Sequence, residues 1–291
     1  MDVKKTATAH AKVNISLDII SKMPDGYHEL LMVMQSIELH DVITIRCVPG
    51  EGVAVKTDLE YLPIDERNIA AKAALVYYEH TGIAGYRTFI HVKKKIPVAA
   101  GLGGGSTDGA CVLRMLNKMF ETSLSTEELE KIAIKVGSDV PFCISGGTKL
   151  VRGRGEILTG LAPLPSCHIV ICKPPFAFST PELFKRVKCD KIRARPDTDG
   201  IIAALDEGNI GGVGRRMYNV FEDFLPRGLS DIENIKFTML NTDALGVTMT
   251  GSGPSVFGIF DSKSRATKAY ELLKSYYFTT FMTKPKKEIE F

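Results

Sequence analysis

Apolar and polar residues alternate along residues 7–20, and this alternation predicts a β-strand. One set of alternate positions holds Ala9, Ala11, Val13, Ile15, Leu17 and Ile19, and the other holds His10, Lys12, Asn14, Ser16 and Asp18. Because successive side chains of a strand point to opposite faces, the sequence predicts one buried apolar face and one half-exposed polar face. Lys12 and Asn14 would be neighbours on the polar face, about 7 Å apart along the strand.

The remaining patterns predict both strands and helices. Strands are predicted at 36–47, 52–57, 87–95, 169–172, 256–260 and 278–284. Helices are predicted at 68–80, after residue 105, from 125 to 137, from 180, and at 200–207, 211–223, 229–240 and 263–275. The Pro-containing segment 161–166 is the expected boundary between two domains, 1–161 and 162–291.

A glycine-rich stretch between a predicted strand and a predicted helix is the strongest chemical signal. Four glycines in five positions would let a bulky anion approach the backbone, and Ser106 and Thr107 are suited to capping the helix. A helix N-terminus of this kind binds phosphate. We therefore expect a phosphate cradle at Pro97, Val98, Ala99, Ala100, Gly101, Leu102, Gly103, Gly104, Gly105, Ser106 and Thr107. The Walker pattern is excluded because no lysine precedes Ser106, and the spacing of the glycines does not fit a dinucleotide fingerprint.

Another candidate functional residue, Asp139, lies on a short connector at residues 137–142. Pro141 should hold Val140 in extended geometry, which leaves Asp139 on the connector. Two roles for Asp139 stay open from these residues alone. Its carboxyl group could cap the following turn, or it could act on a ligand.

Composition limits the class of protein. The chain has 291 residues and a net charge of +3, so a nucleic-acid partner is not expected. It shows neither a membrane span nor a signal sequence, and its six cysteines lack metal-ligand spacing. We expect a cytoplasmic protein with reduced thiols and no membrane partner.

Three separated motifs occur in the order found in the GHMP small-molecule kinases, and the chain resembles that family. They are Ala11-Lys12-Val13-Asn14, the glycine-rich stretch, and Thr250-Gly251-Ser252-Gly253-Pro254. The segments 25–30 and 137–142, with Gln35 and Asp41, are similar to the branch that phosphorylates CDP-methylerythritol. The resemblance covers nearly the whole chain and is weakest at 185–235 and after 280. It implies an α+β fold of two domains. The N-terminal domain would be like the second domain of ribosomal protein S5 and the C-terminal domain would be ferredoxin-like, with the site between them.

The resemblance also implies roles for individual residues. Asp139 would take the proton of the 2-hydroxyl group, Lys12 would stabilise the developing charge, and Asn14 would orient the acceptor. Tyr27 and Phe184 would stack on cytosine while His28 bonds its edge, although Phe184 could also be an ordinary core residue.

ATP is the implied cofactor, with Mg²⁺ arriving as the ATP complex. Ser106 or Thr107 could touch the ion, but the sequence offers no acidic cluster, so no protein metal ligand is assigned. The implied partner is the small-molecule substrate alone, and the chain would be a monomer or a weak homodimer. Rival functions are homoserine or mevalonate-pathway kinases, which lack Asp25-Gly26-Tyr27-His28, and a silent binding protein, which would be expected to lose Lys12 or Asp139.

Overall fold

A computed structural model describes residues 3–226 and 229–289, which form two sheets with helices packed against them. The strands are β1 (Val3–Lys22), β2 (His28–Pro49), β3 (Val53–Thr57), β4 (Tyr86–Lys93), β5 (Thr148–Gly153), β6 (Ile157–Gly160), β7 (His168–Cys172), β8 (Tyr218–Asn219), β9 (Gly246–Met249), β10 (Val256–Phe260) and β11 (Thr280–Thr283). The helices are α1 (Ile69–Thr81), α2 (Gly104–Met119), α3 (Thr126–Ile134), α4 (Val140–Ser145), α5 (Thr180–Arg186), α6 (Thr198–Asp206), α7 (Ile210–Gly214), α8 (Ser230–Leu240) and α9 (Lys263–Tyr276). The predicted α+β class is confirmed.

The first sheet is organised around the long strand β2. Its strands follow the order β3-β4-β2-β1-β8, and β5 also pairs with β2 and with β6. On the edge away from β1, β2 pairs with β5 at residues 30–35 and with β4 at residues 42–49. The stretch 36–41 between these two partners is therefore open to other parts of the chain.

The single apolar face predicted for β1 is wrong. The register with β2 shifts between His10 and Lys12 and again between Asn14 and Ser16. As a result Ala9, Leu17 and Ile19 pack in one cluster with α2, whereas Ala11, Val13 and Ile15 pack in a second cluster with β7 and β10. Lys12 and Asn14 do share a face, but both are buried rather than half-exposed. Bulges of this kind re-aim side chains without ending the strand.

The second sheet is antiparallel, with the order β11-β7-β10-β9. Helix α8 connects β8 to β9 in the chain and α9 connects β10 to β11, and both pack against this sheet. The order corresponds to strands 4-1-3-2 of a four-stranded plait, so the expected ferredoxin-like arrangement is confirmed.

Two helices begin near their predicted starts, whereas the predicted end at residue 137 is wrong because α3 ends at Ile134. Asn68 accepts a hydrogen bond from the Ala70 N–H at the start of α1, and Gly82 ends that helix with a φ of 69°. A capping box of Ser125 and Glu128 begins α3, and both of its hydrogen bonds form. Pro141 does not make Val140 extended, because both residues lie in the first turn of α4, where proline is tolerated.

The segment 200–260 differs most from its prediction. A helix at 211–223 is wrong because three glycines limit α7 to Ile210–Gly214, after which β8 pairs with β1 and a 3₁₀ turn follows. Strand β9 was not predicted. The first sheet holds β1–β6 and β8, and the second begins at β7, so the domain limits 1–161 and 162–291 stay a prediction.

Candidate functional site

A cleft of about 960 Å³ lies between the two halves of the chain. Its walls come from β1, the start of β2, the glycine-rich stretch, α5 and the loop between β9 and β10. All eleven residues expected in the phosphate cradle except Thr107 line it, and so do the expected residues Lys12, Asn14, Tyr27, His28, Asp139 and Phe184. The structure therefore brings the predicted site together from positions far apart in sequence.

Glycine is required in the loop by close packing as well as by backbone conformation. Gly101 and Gly103 have φ values of 74° and 69°, which other residues rarely adopt. A β-carbon added to Gly101 would lie 2.0 Å from the Thr250 carbonyl oxygen, and one added to Gly103 would lie 2.9 Å from Lys12 Cγ. The loop is thus pressed between β1 and the second glycine loop, so its backbone faces the cleft in a fixed position.

The expected cap of α2 is wrong. The helix begins at Gly104 with Gly103 as its N-cap, so Ser106 and Thr107 lie inside the first turns. The Thr107 N–H bonds to the Gly103 carbonyl, and its buried hydroxyl donates to the His10 carbonyl. Thr107 therefore has neither group available for an anion. The N–H groups of Gly104, Gly105 and Ser106 precede this first intrahelical bond and point along the helix axis toward the cleft.

Lys12 lies at the centre of the cleft and contacts three separate elements. Its backbone N–H donates to the Leu102 carbonyl, at 3.1 Å, in the glycine-rich stretch. Its ammonium group donates to Asn14 Oδ1 at 2.8 Å and lies 3.3 Å from Asp139 Oδ2. The side chain of Lys12 is 4% exposed, whereas that of Asp139 is 34% exposed. A fixed cation is thus held beside a carboxylate that a ligand can reach.

Asp139 is not used as a helix cap. It occupies the N-cap position of α4, but its side chain makes no capping hydrogen bond. The carboxyl group instead faces Lys12. Of the two roles left open by the sequence, the structure disfavours capping.

Aromatic and cationic groups gather at one end of the cleft. His28 stacks on Phe184 with ring centroids 5.0 Å apart, and Phe184 meets Phe221 edge-on at 4.9 Å. The exposed ring of Tyr27 lies 4.3 Å from Arg154 Cζ. Phe184 is half-buried, and it both packs against the core and lines the cleft.

The charge state of His28 follows from its surroundings. Burial, assisted by the positive charge of Lys22, lowers the pKa of the imidazole. The neutral ring is therefore the dominant form near pH 7, and it presents one donor and one acceptor.

A buried ionic cluster holds the chain just before the glycine-rich stretch. The Lys94 ammonium lies 2.5 Å from Asp41 Oδ2 and 2.7 Å from Asp108 Oδ2. Asp41 Oδ1 also accepts the N–H groups of Lys95 and Ile96. Burial raises the pKa of Asp108 to about 8, with Lys94 opposing this effect and Asp41 adding to it. Asp41 thus anchors residues 94–96 to the open stretch of β2.

The second glycine loop, 250–255, is held against the first. The Thr250 hydroxyl accepts from the Asn14 N–H at 3.1 Å and lies 3.2 Å from the Gly101 carbonyl oxygen. Asn219 Nδ2 donates to the carbonyls of Met249 and Gly251, both at 2.8 Å. Asn219 lies in a segment that the sequence pattern predicted as a helix, so its role was not foreseen. The pattern also indicated no role for Asp41, Lys94, Asp108 or Arg154.

The six cysteines are unpaired, and five of them are buried. Burial raises the pKa of Cys111 to about 11 and that of Cys143 to about 12, so neither thiol near the site forms a nucleophile at neutral pH.

The lining of the cleft suits the phosphates of a bound nucleotide. The glycine-rich backbone, where a β-carbon would clash at Gly101, suits the close approach of phosphates. Within residues 3–226 and 229–289, no group of three His, Cys, Asp or Glu side chains is placed to hold a metal ion. Of the two hydroxyl groups considered for an ion, only that of Ser106 faces the cleft.

Comparisons with known proteins match both halves of the chain. The model of the GHMP kinases N terminal domain matches residues 68–147, and that of the GHMP kinases C terminal domain matches residues 201–278. A 4-diphosphocytidyl-2-C-methyl-D-erythritol kinase of Clostridium botulinum is 43% identical over 277 residues, covering 95% of this chain and 98% of the relative.

Solved structures give the same result. A crystal structure of 4-(cytidine 5'-diphospho)-2C-methyl-D-erythritol kinase has a TM-score of 0.80 and 29% identity, covering 97% of this chain and 99% of its own. A homoserine kinase from Cytophaga hutchinsonii has a TM-score of 0.75 at 20% identity, covering 98% of this chain and 95% of its own, so that similarity concerns the fold alone.

Proposed function

Because this chain belongs to the GHMP kinases and, within them, to the 4-diphosphocytidyl-2-C-methyl-D-erythritol kinase family, we propose that it phosphorylates that CDP-alcohol. The γ-phosphoryl group of ATP moves to the 2-hydroxyl of the methylerythritol unit, which gives the 2-phosphate and ADP in the non-mevalonate route to isoprenoid precursors. The two-domain GHMP fold expected from the sequence is confirmed by the same matches.

We propose that Asp139 and Lys12 act on the acceptor hydroxyl. The observation that carries this proposal is the 3.3 Å approach of Lys12 Nζ to Asp139 Oδ2 at the centre of the cleft. Asp139 takes the hydroxyl proton, and such general-base catalysis contributes roughly 10²–10⁴-fold. The Lys12 ammonium stabilises negative charge on the attacking oxygen and on the phosphoryl group in transfer. Asn14, held by Lys12 and by Thr250, orients the acceptor.

The phosphates lie against the glycine-rich backbone. The N–H groups of Gly104, Gly105 and Ser106 and the positive end of α2 favour a polyanion there. Magnesium, bound to the triphosphate, would neutralise part of its charge. Leu62, Pro63 and Ile69 form an apolar part of the cleft wall, where a purine base has surface to pack against.

The cytidine binds at the aromatic end. We propose that Tyr27 and Phe184 supply flat apolar surfaces and that His28, neutral near pH 7, bonds the edge of the base. In the structure His28 already stacks on Phe184, so the histidine is held at the end of the cleft before the base arrives. Remote binding of this kind positions the reacting hydroxyl.

Replacement of the proposed base gives the direct test. Asp139→Asn keeps the size of the side chain and removes its basicity. We expect kcat to fall roughly 10²-fold or more, with the KM for ATP nearly unchanged. The matched control is Asp190→Asn, a carboxylate on a short 3₁₀ turn that does not line the cleft. Turnover by Asp139→Asn near the unmodified rate would refute the assignment.

The acceptor is tested separately by offering alcohols with and without the cytidine diphosphate group. Transfer of radiolabel from ATP should require that group, and phosphorylation of free methylerythritol, homoserine or mevalonate at a similar rate contradicts the proposal. In the described part of the chain, no helix is long and apolar enough to cross a bilayer. We propose a cytoplasmic enzyme that acts as a monomer or weak homodimer and needs no nucleic-acid partner.

A further inference from the structure

The chain after β11 crosses from the second sheet to the first. Residues 284–289, here called the C-terminal strap, lie along the open stretch of β2. The Glu38 N–H donates to the Lys284 carbonyl at 2.9 Å, and the Lys286 N–H donates to the Ser36 carbonyl at 2.8 Å. Pro285 pairs with Ile37 between these two bonds. The strap is therefore bound in register to the strand at the centre of the first sheet.

Gln35 fixes the strap from the side. Its Nε2 atom donates to the Lys286 carbonyl at 3.0 Å, and its Oε1 atom accepts from the Thr148 hydroxyl at 2.6 Å. The side chain is buried, so both bonds are shielded from water. Gln35 belongs to the pattern of the sequence resemblance but has no proposed part in the reaction. These bonds show that it holds the strap in place.

The end of the strap packs against the end of α4. Ile289 is 8% exposed, and a β-carbon added to Gly146 would lie 2.3 Å from Ile289 Cγ1. Gly146 ends α4 by donating its N–H to the Phe142 carbonyl at 2.7 Å. At Gly147 an added β-carbon would lie 2.9 Å from the Lys287 carbonyl oxygen. Two consecutive glycines thus allow the strap to lie directly on the backbone that ends α4.

Asp139 occupies the opposite end of this helix. Helix α4 has only six residues, so a shift at Gly146 is transmitted to the N-cap over less than two turns. Since the Asp139 carboxyl group makes no capping bond, the backbone of α4 sets its distance from Lys12. The contact of Ile289 with Gly146 is therefore a support for the proposed base.

We infer that the C-terminal strap positions Asp139 through α4, with Ile289 as the positioning residue. This inference rests on the proposed role of Asp139. Ile289 does not line the cleft and touches no substrate. Its loss moves the carboxyl group relative to the acceptor hydroxyl while the nucleotide and cytidine contacts stay in place. Small misplacements of reacting groups cost far more in rate than in binding.

The test compares Ile289→Ala and Ile289→Val in the full chain with Glu288→Ala, an exposed neighbour on the same strap. We expect Ile289→Ala to lower kcat roughly tenfold, with the KM values for ATP and the CDP-alcohol within about twofold of their original values. Ile289→Val, which loses one methyl group, should recover most of the rate, and Glu288→Ala should match the unmodified chain. If Ile289→Ala does not fold, Ile289→Val decides the matter. A loss of kcat in this variant of less than tenfold, with both KM values unchanged, supports the inference, and an unchanged kcat overturns it.

A double-variant comparison separates this inference from the proposed function. In the Asp139→Asn background, adding Ile289→Ala should leave the residual rate unchanged because its effect passes through Asp139. A further tenfold loss there, or an unchanged kcat in folded Ile289→Ala, overturns the role of the strap. Near-normal turnover by Asp139→Asn alone overturns the base assignment instead, whatever the Ile289 variants do.

Discussion

The cleft contains two lysines with buried side chains, Lys12 and Lys94. Substitution by methionine should affect a different property at each of them. Lys12 faces one partly exposed carboxylate, whereas Lys94 lies between two buried ones. We expect Lys12→Met to fold and lose turnover. We expect Lys94→Met to lose stability.

The magnitude for Lys12 follows from its contacts. Removing one preorganised cationic donor costs the transition state about 3 kcal/mol, or roughly 10²-fold in kcat. The unfolding free energy should change by no more than about 1 kcal/mol, since methionine fills the space of the lysine stem and Asp139 can be hydrated. In Lys12→Met, Asn14 Oδ1 keeps a hydrogen-bond donor, because the Thr250 hydroxyl lies 3.4 Å away.

The magnitude for Lys94 comes from the carboxylates that it would leave behind. The side chains of Asp41 and Asp108 are 0% and 7% exposed, so removal of the cation strands two carboxyl groups in the interior. Breaking such a buried group costs about 3–5 kcal/mol. The pKa of Asp108, raised to about 8 by burial, favours uptake of a proton, which places the cost near the lower limit. At about 2–4 °C per kcal/mol, the Tm should fall by roughly 10 °C.

The assay is thermal unfolding together with steady-state kinetics on both variants. Lys12→Arg is the matched control that keeps the positive charge. Because a guanidinium spreads its charge over a larger planar group than the compact ammonium, it should not restore turnover. Lys12→Met within tenfold of the original kcat would refute the role of the ammonium. Unfolding of Lys12→Met alongside a stable Lys94→Met would refute the reasoning on buried charge.

Three further outcomes are expected. Tyr27→Ala and Phe184→Ala should each raise the KM for the CDP-alcohol roughly ten- to a hundredfold, because a stacked base contributes about 1–3 kcal/mol. The KM for ATP should stay unchanged. Normal binding of the CDP-alcohol by both variants would contradict the proposed cytidine site. Gly101→Ala should weaken ATP binding measured by calorimetry, because its β-carbon would lie 2.0 Å from the Thr250 carbonyl oxygen, and unchanged affinity contradicts the packed-loop description. Burial lowers the pKa of His10 to about 4, assisted by the nearby charges of His40, Lys286 and Arg114. Between that pH and about 6.5 the unfolded chain binds the proton more readily than the folded chain does. The free energy of unfolding should therefore fall as the pH drops through this range. His10→Gln should flatten that part of the Tm profile, and an equally steep profile counts against the explanation.

The sequence was most informative where one residue determines local geometry. The glycine-rich stretch and the start of α3 at Ser125 depend on bonds within a few residues, and both formed near their predicted positions. The residues proposed for the reaction were found through the resemblance, and the structure brings them to one cleft. Thr107 is the exception because α2 begins earlier than its hydroxyl pair suggested.

What the sequence could not predict depends on register and on contacts between distant segments. Alternation along β1 predicted a single apolar face, but two register shifts give its apolar residues to two different cores. A bulge needs no special residue at either position, so it left no signal in the chain. Asn219 was missed for a similar reason, since its partners at Met249 and Gly251 are about thirty residues away and lie on another loop.

The open stretch of β2, residues 36–41, supports two separate parts of the proposed site. At one end of it the Ser36 carbonyl holds the strap and the Ser36 N–H holds Gly147, next to the helix of the proposed base. At the other end Asp41 holds the N–H groups that lead into the phosphate loop. These anchors are five positions apart, about 17 Å along the strand. In-line transfer requires the base and the γ-phosphoryl group to keep a fixed separation. We therefore expect this one strand to maintain the distance between the proposed base and the glycine-rich stretch. The gap in pairing on one edge of β2 is where the supports of both proposed parts of the site attach.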